Sequence, residues 1–158
     1  NWDRTQSNTE KATRYIAGLL TGLGAPFEPV GAGTVLDLNS FTPQPDLPWF
    51  RHEGGGLYMG AAGYVRGDIE CARSGHYVMR VTARGTPAAG QFPIVAVEMD
   101  GQEVGKIELK SDDWRSYRLP IKLTEGKHEL KLTFTNDIYE PPEDTNLWIG
   151  RVEVGESE

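Results

Sequence analysis

Cysteine is almost missing from this chain. Cys71 stands alone among 158 residues, so no internal disulfide can form. Its place at the end of an alternating run marks it as a semi-buried structural thiol. A catalytic thiol needs a base, and the three histidines, His52, His76 and His128, form no recognisable partner motif with it. Basic charge is also short. Lys and Arg number 16 against 23 acids, for a formal charge of −7. A nucleic-acid partner would need a basic face, so that class is set aside. No apolar run is long enough to span a bilayer as a helix. No signal-peptide pattern is visible, although a processed chain would have lost one.

Helical periodicity is scarce as well. Only Thr9–Leu23 carries it, with Ala12, Tyr15, Ile16, Leu19, Leu20 and Leu23 on one face. Asn8 or Thr9 caps its start, and Gly24 with Pro26 stops it. The apolar stripe needs a cover: the rest of the chain, a preceding module or a second copy. Ala25–Gly33 reads as a linker, so residues 1–30 are expected to form a helical appendage and residues 31–158 the domain proper.

What is present is β pattern. Gly 19 and Pro 10 punctuate many short alternating segments. Expected strands are Thr34–Leu38, Tyr64–Ile69, a run through Tyr77, Met79, Val81 and Ala83, Ile94–Met99, Val104–Leu109, Trp114–Leu119, Ile121–Leu123, Lys127–Thr135 and Leu147–Val154. Asp100-Gly101 marks a hairpin between two of them. Phe41–Trp49, with Pro43, Pro45 and Pro48, is expected to be an irregular loop whose aromatics Phe41, Trp49 and Phe50 fold back as plugs on the core, a reading preferred over a sugar-stacking surface. Gly54-Gly55-Gly56 allows sharp turns but lacks the Lys-Ser/Thr ending of a phosphate loop. Eight or nine short strands with no internal helix point to an all-β, jelly-roll-like β-sandwich with a short N-terminal helical appendage.

Chemistry concentrates near the C-terminal end. Between Phe134 and Leu147 a proline-stiffened loop holds Asp137, Glu140, Glu143 and Asp144 and no basic residue. Crowded carboxylates repel unless a cation or solvent compensates. Calcium takes six to eight oxygens from carboxylates, backbone carbonyls and water. Asp137 and Asp144 stand at the two mouths of the loop, near the ends of strands expected to run antiparallel, and Pro141-Pro142 restrict the backbone between them. Turn residues of this kind are also common in solvated loops with no ligand, so composition alone leaves both readings open.

Phe134-Thr135-Asn136-Asp137, then Asp144, then Asn146-Leu147-Trp148-Ile149 resembles the FTND…D-R-N-L-Y-[VI]-D motif of the calcium-dependent xylan-binding carbohydrate-binding modules, families thirty-six and sixty, relatives of the family six and thirty-five sandwiches. Gly55–Gly60, Gly75–Gly85 and Asp100-Gly101 extend the likeness over roughly Thr34 to Val154. The resemblance implies a non-catalytic, secreted or cell-surface module that binds a polysaccharide, xylan-like β-glycan first, through calcium. It implies metal ligands at Asp137, Asp144, the Glu143 carbonyl and the Tyr58 carbonyl. Sugar contacts would come from Tyr139, Asn136, Asp137 and Asp144. Two departures stand out. Asp37-Leu38-Asn39 and Gly150 replace the E-x-E pair and the Asp that hold a structural calcium in related modules, which weakens the case for a second ion. Thr145 replaces an Arg, so contacts with the xylan chain are expected to differ.

Two other classes fit parts of the sequence. An extracellular assembly domain would use the Thr9–Leu23 stripe against a neighbouring subunit or module, with self-association as one form. A glycosidase would use Asp137 with Asp144 or Glu143 as acid and base, but solvated loop carboxylates lack the burial that raises an acid catalyst's pKa. The chain is therefore read as an ancillary binding domain, not an enzyme, with no nucleic-acid or membrane partner.

Overall fold

Alternating segments become strands wherever one side of the chain can be buried. The computed structural model describes residues 33–157, and the helix and linker expected before Gly31 lie outside them. The elements are β1 (Thr34–Val35), a 3-10 turn (Leu38–Ser40), β2 (Thr42–Pro43), β3 (Phe50–Glu53), β4 (Gly56–Met59), β5 (Gly63–Cys71), β6 (Gly75–Thr86), β7 (Ile94–Met99), β8 (Gln102–Glu108), β9 (Arg115–Leu123), β10 (Gly126–Phe134), β11 (Tyr139–Glu140), β12 (Glu143–Asp144) and β13 (Asn146–Glu156). One sheet runs β3-β4-β13-β6-β9, with β1 against the far end of β13, and a second runs β2-β5-β10-β7-β8. β11 and β12 form a small hairpin of their own. The described residues form the all-β sandwich that the alternation implied.

The core lies between the two sheets. Met79, Val81 and Ala83 from β6 and Val152 and Val154 from β13 meet Val65, Val97, Leu130, Leu132 and Phe134 from the other sheet, all fully buried. Two glycines exist because the packing admits no side chain. A Cβ on Gly67 would lie 2.6 Å from the Phe41 ring, and one on Gly56 would lie 2.4 Å from the Ile149 carbonyl oxygen. Cys71 is buried, its thiol beside the Tyr77 hydroxyl at 3.2 Å, which suits the structural role read from sequence.

Several expectations shift. Trp114–Leu119 and Ile121–Leu123 are one strand, β9, running through Pro120. Proline is tolerated there because β9 is an edge strand, where a missing N–H leaves no interior ladder bond unmade. The glycine-rich stretch is not merely a turn, since Gly56–Met59 is a strand paired on both sides. The aromatic plugs divide. Phe41 is buried and Phe50 packs on the core, but Trp49 is 73 % exposed with φ at 58°, so it is no plug.

The Asp100-Gly101 hairpin joins β7 and β8 with both residues in the left-handed region, as a two-residue turn of the mirror-image type requires. It also carries a charge pair. His128 Nδ1 meets Asp100 Oδ2 at 2.6 Å and its Nε2 meets the Thr124 carbonyl at 2.7 Å. Both ring nitrogens face acceptors, so the imidazolium is the form that satisfies both. Burial alone would lower the His128 pKa, but the Asp100 and Thr124 bonds outweigh it and raise the value above 6.5. The His128 bond, then the Glu129 N–H, hold Asp100 below 3.8. The His128 contribution is whole below pH 6.5 and fades as pH climbs through the raised value. The Asp100 contribution is whole above 3.8 and fades as pH falls through the lowered one. Melting temperature should therefore be highest in between and drop by about 1–3 °C on moving to mildly alkaline pH. A His128→Gln variant should lose that slope in a pH series of thermal melts.

Candidate metal and sugar site

Phe134 and Asn146 do not belong to neighbouring strands. β10 ends in one sheet and β13 begins in the other, so the acidic loop bridges the sandwich edge. The strands that flank the loop are therefore not paired with each other. Pairing occurs inside the loop, in the β11–β12 hairpin, which sets Tyr139 opposite Asp144 and Glu140 opposite Glu143 around Pro141-Pro142.

Thr145 anchors that hairpin. It is the one fully buried polar residue among those described, and its N–H donates to the Ile138 carbonyl at 2.9 Å. Its hydroxyl accepts from the Ile138 N–H at 2.7 Å and shares its proton among Asn136 O, Ile138 O and Asp137 Oδ1 at 3.3–3.4 Å. Thr86 closes the other side. Its hydroxyl donates to the Asp144 carbonyl at 2.7 Å and accepts from the Asn146 N–H at 3.0 Å. The Thr that departs from the family's Arg is thus an interior staple, not a sugar contact.

The two carboxylates feel each other. Desolvation, then the Asp144 charge, raise the Asp137 pKa above 3.8, while the Thr145 hydroxyl and the Ala62 N–H pull the other way. Asp137 as a residue is exposed and Asp144 half-buried, so neighbours crowd only one side of each. None of Asp137, Glu140, Glu143 or Asp144 is in an ion pair among the described residues. Tyr58 belongs to the same end of the molecule. Burial raises its hydroxyl above 10.0, Arg51 opposes this, and the Asp144 and Asp137 charges add to it. That hydroxyl donates to Asn146 Oδ1 at 2.9 Å.

The remaining residues take defined places. The β3–β4 register, with the Gly60 N–H on the Trp49 carbonyl at 2.8 Å, directs the Tyr58 carbonyl at Arg51 in the ladder. The Glu140–Glu143 pair likewise directs the Glu143 carbonyl across the hairpin, and the Glu143 carboxylate accepts from the Ala89 N–H at 2.9 Å. Asn136 is a staple, its Oδ1 accepting from the Ile94 N–H at 2.7 Å and its Nδ2 donating to the Phe92 carbonyl at 3.0 Å. Tyr139 is 71 % exposed. Trp49, which sequence reasoning set aside, stands beside the site: a Cβ on Gly60 would lie 2.9 Å from the Trp49 Cβ and 2.7 Å from the Tyr58 hydroxyl. Ala62 was missed entirely, because a backbone N–H leaves no trace in side-chain pattern. Asp37, at the weakened second position, caps the 3-10 turn through the Asn39 N–H at 3.0 Å. No group of three or more His, Cys, Asp or Glu side chains suited to a metal occurs among the described residues.

Residues 78–158 match the family model of CBM60, the Ca-dependent, xylan-binding carbohydrate-binding modules. The chain belongs to CBM60. It is a carbohydrate-binding module, a non-catalytic ancillary domain. A search of curated proteins returns no match. Solved structures support the fold of this CBM60 module. The CBM36-1 domain of a multidomain xylanase from the hindgut metagenome of Trinervitermes trinervoides is 14 % identical with a TM-score of 0.65, over 80 % of this chain and 98 % of that one. A CBM36 module in complex with calcium and xylotriose is 17 % identical with a TM-score of 0.63, over 77 % and 98 %. A family 35 module from Clostridium thermocellum is 12 % identical with a TM-score of 0.55, over 80 % and 99 %.

Proposed function

We propose that this CBM60 module binds a xylan-like β-glycan through a calcium ion held by Asp137 and Asp144. The observation that carries the reading is the pair itself: two carboxylates held within each other's field by a stapled hairpin, with no ion pair to either among the described residues. Such a donor set fits a hard divalent ion, which prefers oxygen and offsets like charge. Two side-chain carboxylates alone do not complete a calcium shell. The Glu143 and Tyr58 carbonyls each have one lone pair in a ladder and a second to offer. When bound, the ion offers its remaining coordination positions to sugar hydroxyls.

The chain's own residues do the rest. Thr145 and Thr86 fix the hairpin before any ligand arrives, so little ordering entropy is lost on binding. Tyr139 and Trp49 present exposed rings beside the pair, and such rings suit the apolar face of a sugar. A module built to hold a plant polysaccharide works where that polymer is, so we place it in a secreted or cell-surface protein, beside a catalytic module. Titration calorimetry with xylo-oligosaccharides tests the reading. Heat of binding should vanish in EDTA and return with excess calcium, and Trp49→Ala or Tyr139→Ala should weaken it. Undiminished binding in EDTA would remove the mechanism.

A further inference from the structure

The two outer faces of the sandwich carry charge differently. On the five-stranded sheet, opposite charges interleave: Arg66 meets Glu129 at 3.3 Å and Lys131 meets Glu98 at 4.0 Å. On the six-stranded sheet, β6 buries Tyr77, Met79, Val81 and Ala83, which turns Arg80, Thr82 and Arg84 outward. β9 buries Ile121 and Leu123, which turns Ser116, Arg118 and Lys122 outward. The register sets Arg80 directly opposite Arg118 and Thr82 opposite Ser116. Like charges facing each other across a ladder oppose sheet stability. Among the described residues, none of Arg80, Arg118 and Lys122 is in an ion pair. The one acid beside them, Glu153 opposite Arg80 on β13, is paired with Arg151 at 3.6 Å. Among the described residues, this face of a chain of charge −7 thus holds an arginine pair with no salt-bridge partner.

An aromatic ridge runs parallel to that pair. The Arg51 guanidinium lies 4.2 Å over the Tyr58 ring, Tyr58 meets Trp148 at 5.1 Å, and the Arg84 guanidinium lies 4.3 Å over Trp148. Trp114, 52 % exposed, continues the ridge over Gly150, where a Cβ would lie 2.9 Å from its ring. The row between ridge and arginines holds the small residues Thr82 and Ser116, with Arg151 opposite Thr82 on β13. Four residues along β6 separate Arg84 from Arg80, about 13 Å at 3.3–3.4 Å per residue.

We propose that this trough is a second, calcium-independent surface for a carboxylate-bearing polysaccharide, a uronate-substituted glycan. Arg80 and Arg118 take the carboxylate as a planar, fork-like acceptor, and the Trp148–Trp114 ridge packs against a neighbouring sugar ring. A linear glycan fits a narrow trough between an aromatic wall and two guanidiniums. An acidic protein would need a broad apolar centre, and the exposed large hydrophobics that the register turns outward here, Val35 and Trp114, stand apart at opposite sides of the sheet.

The test uses the whole chain in EDTA, which silences the calcium site. Affinity electrophoresis or calorimetry compares polygalacturonate and glucuronoxylan with their carboxyl-reduced forms and with poly-glutamate. The carboxylated glycans should bind, bind less in higher salt, and lose affinity about tenfold or more when Arg80→Ala and Arg118→Ala are combined. The same double variant should melt no lower than wild type and keep its calcium-dependent titration with neutral xylo-oligosaccharides. No binding in EDTA, or equal binding by the double variant, overturns the proposal. Equal binding of poly-glutamate and polyuronate overturns the assignment to a glycan.

Discussion

Asp137→Ala is expected to lower affinity for xylo-oligosaccharides on the order of 100-fold or more, about 2.7 kcal/mol. The residue is exposed, so its loss removes no core contact. It supplies one of the two carboxylates in the proposed calcium set, and no third acid stands close enough to replace it among the described residues. The stability effect has the opposite sign to the usual carboxylate. Desolvation and Asp144 raise the Asp137 pKa above 3.8, so without a cation the ionised group opposes folding, and that penalty lifts as pH falls through the raised value. Melting in EDTA should therefore be unchanged or slightly higher in the variant, while the wild-type rise in melting temperature on adding calcium disappears. A variant that still gains stability from calcium and still binds sugar would mean that the ion sits elsewhere.

Phe134→Ala is expected to cost about 3–5 kcal/mol of stability and about 6–20 °C in melting temperature. Phe134 is fully buried at the end of β10, between Gly63 of β5 and Val95 of β7 in the ladder. It is the last core residue before the chain leaves the sheet for Asn136 and Asp137. The cavity left by the ring cannot close, because β5 and β7 hold β10 on both sides. Phe134→Leu, which keeps part of the volume, should lose clearly less. Chemical denaturation of both variants checks the ranking, and near-wild-type stability for the alanine form would mean the core relaxes around the site.

Both results turn on features of unequal visibility in the amino-acid string. Strand alternation was plain where burial is one-sided: Leu130, Leu132 and Phe134 point in, and Lys131 and Thr133 do not. Asp100-Gly101 announced its hairpin because only such residues accept left-handed backbone cheaply. Pro120 misled, because a proline interrupts an interior strand but not an edge, and edge position is a property of the assembled sheet. Trp49 misled for a related reason. A tryptophan in a proline-rich loop usually buries itself, yet here Trp49 takes left-handed backbone with its Cβ close over Gly60, and its side chain stays exposed.

Chain order and local pattern were enough for the all-β class and for placing Asp137 and Asp144 on one acidic loop, which we propose as the calcium site. Those rest on residue type, side-chain period and turn chemistry, all of which act over a few positions. Which sheet each strand joins is set by distant pairings, and that decided the rest. It made the loop a bridge between sheets and turned Thr145 from a missing sugar contact into a buried staple. It also committed the Asn136 amide to the start of β7, and set Arg80 against Arg118 across 38 residues of chain. Each of these depends on which backbone lies alongside, and burial, not local propensity, selects it.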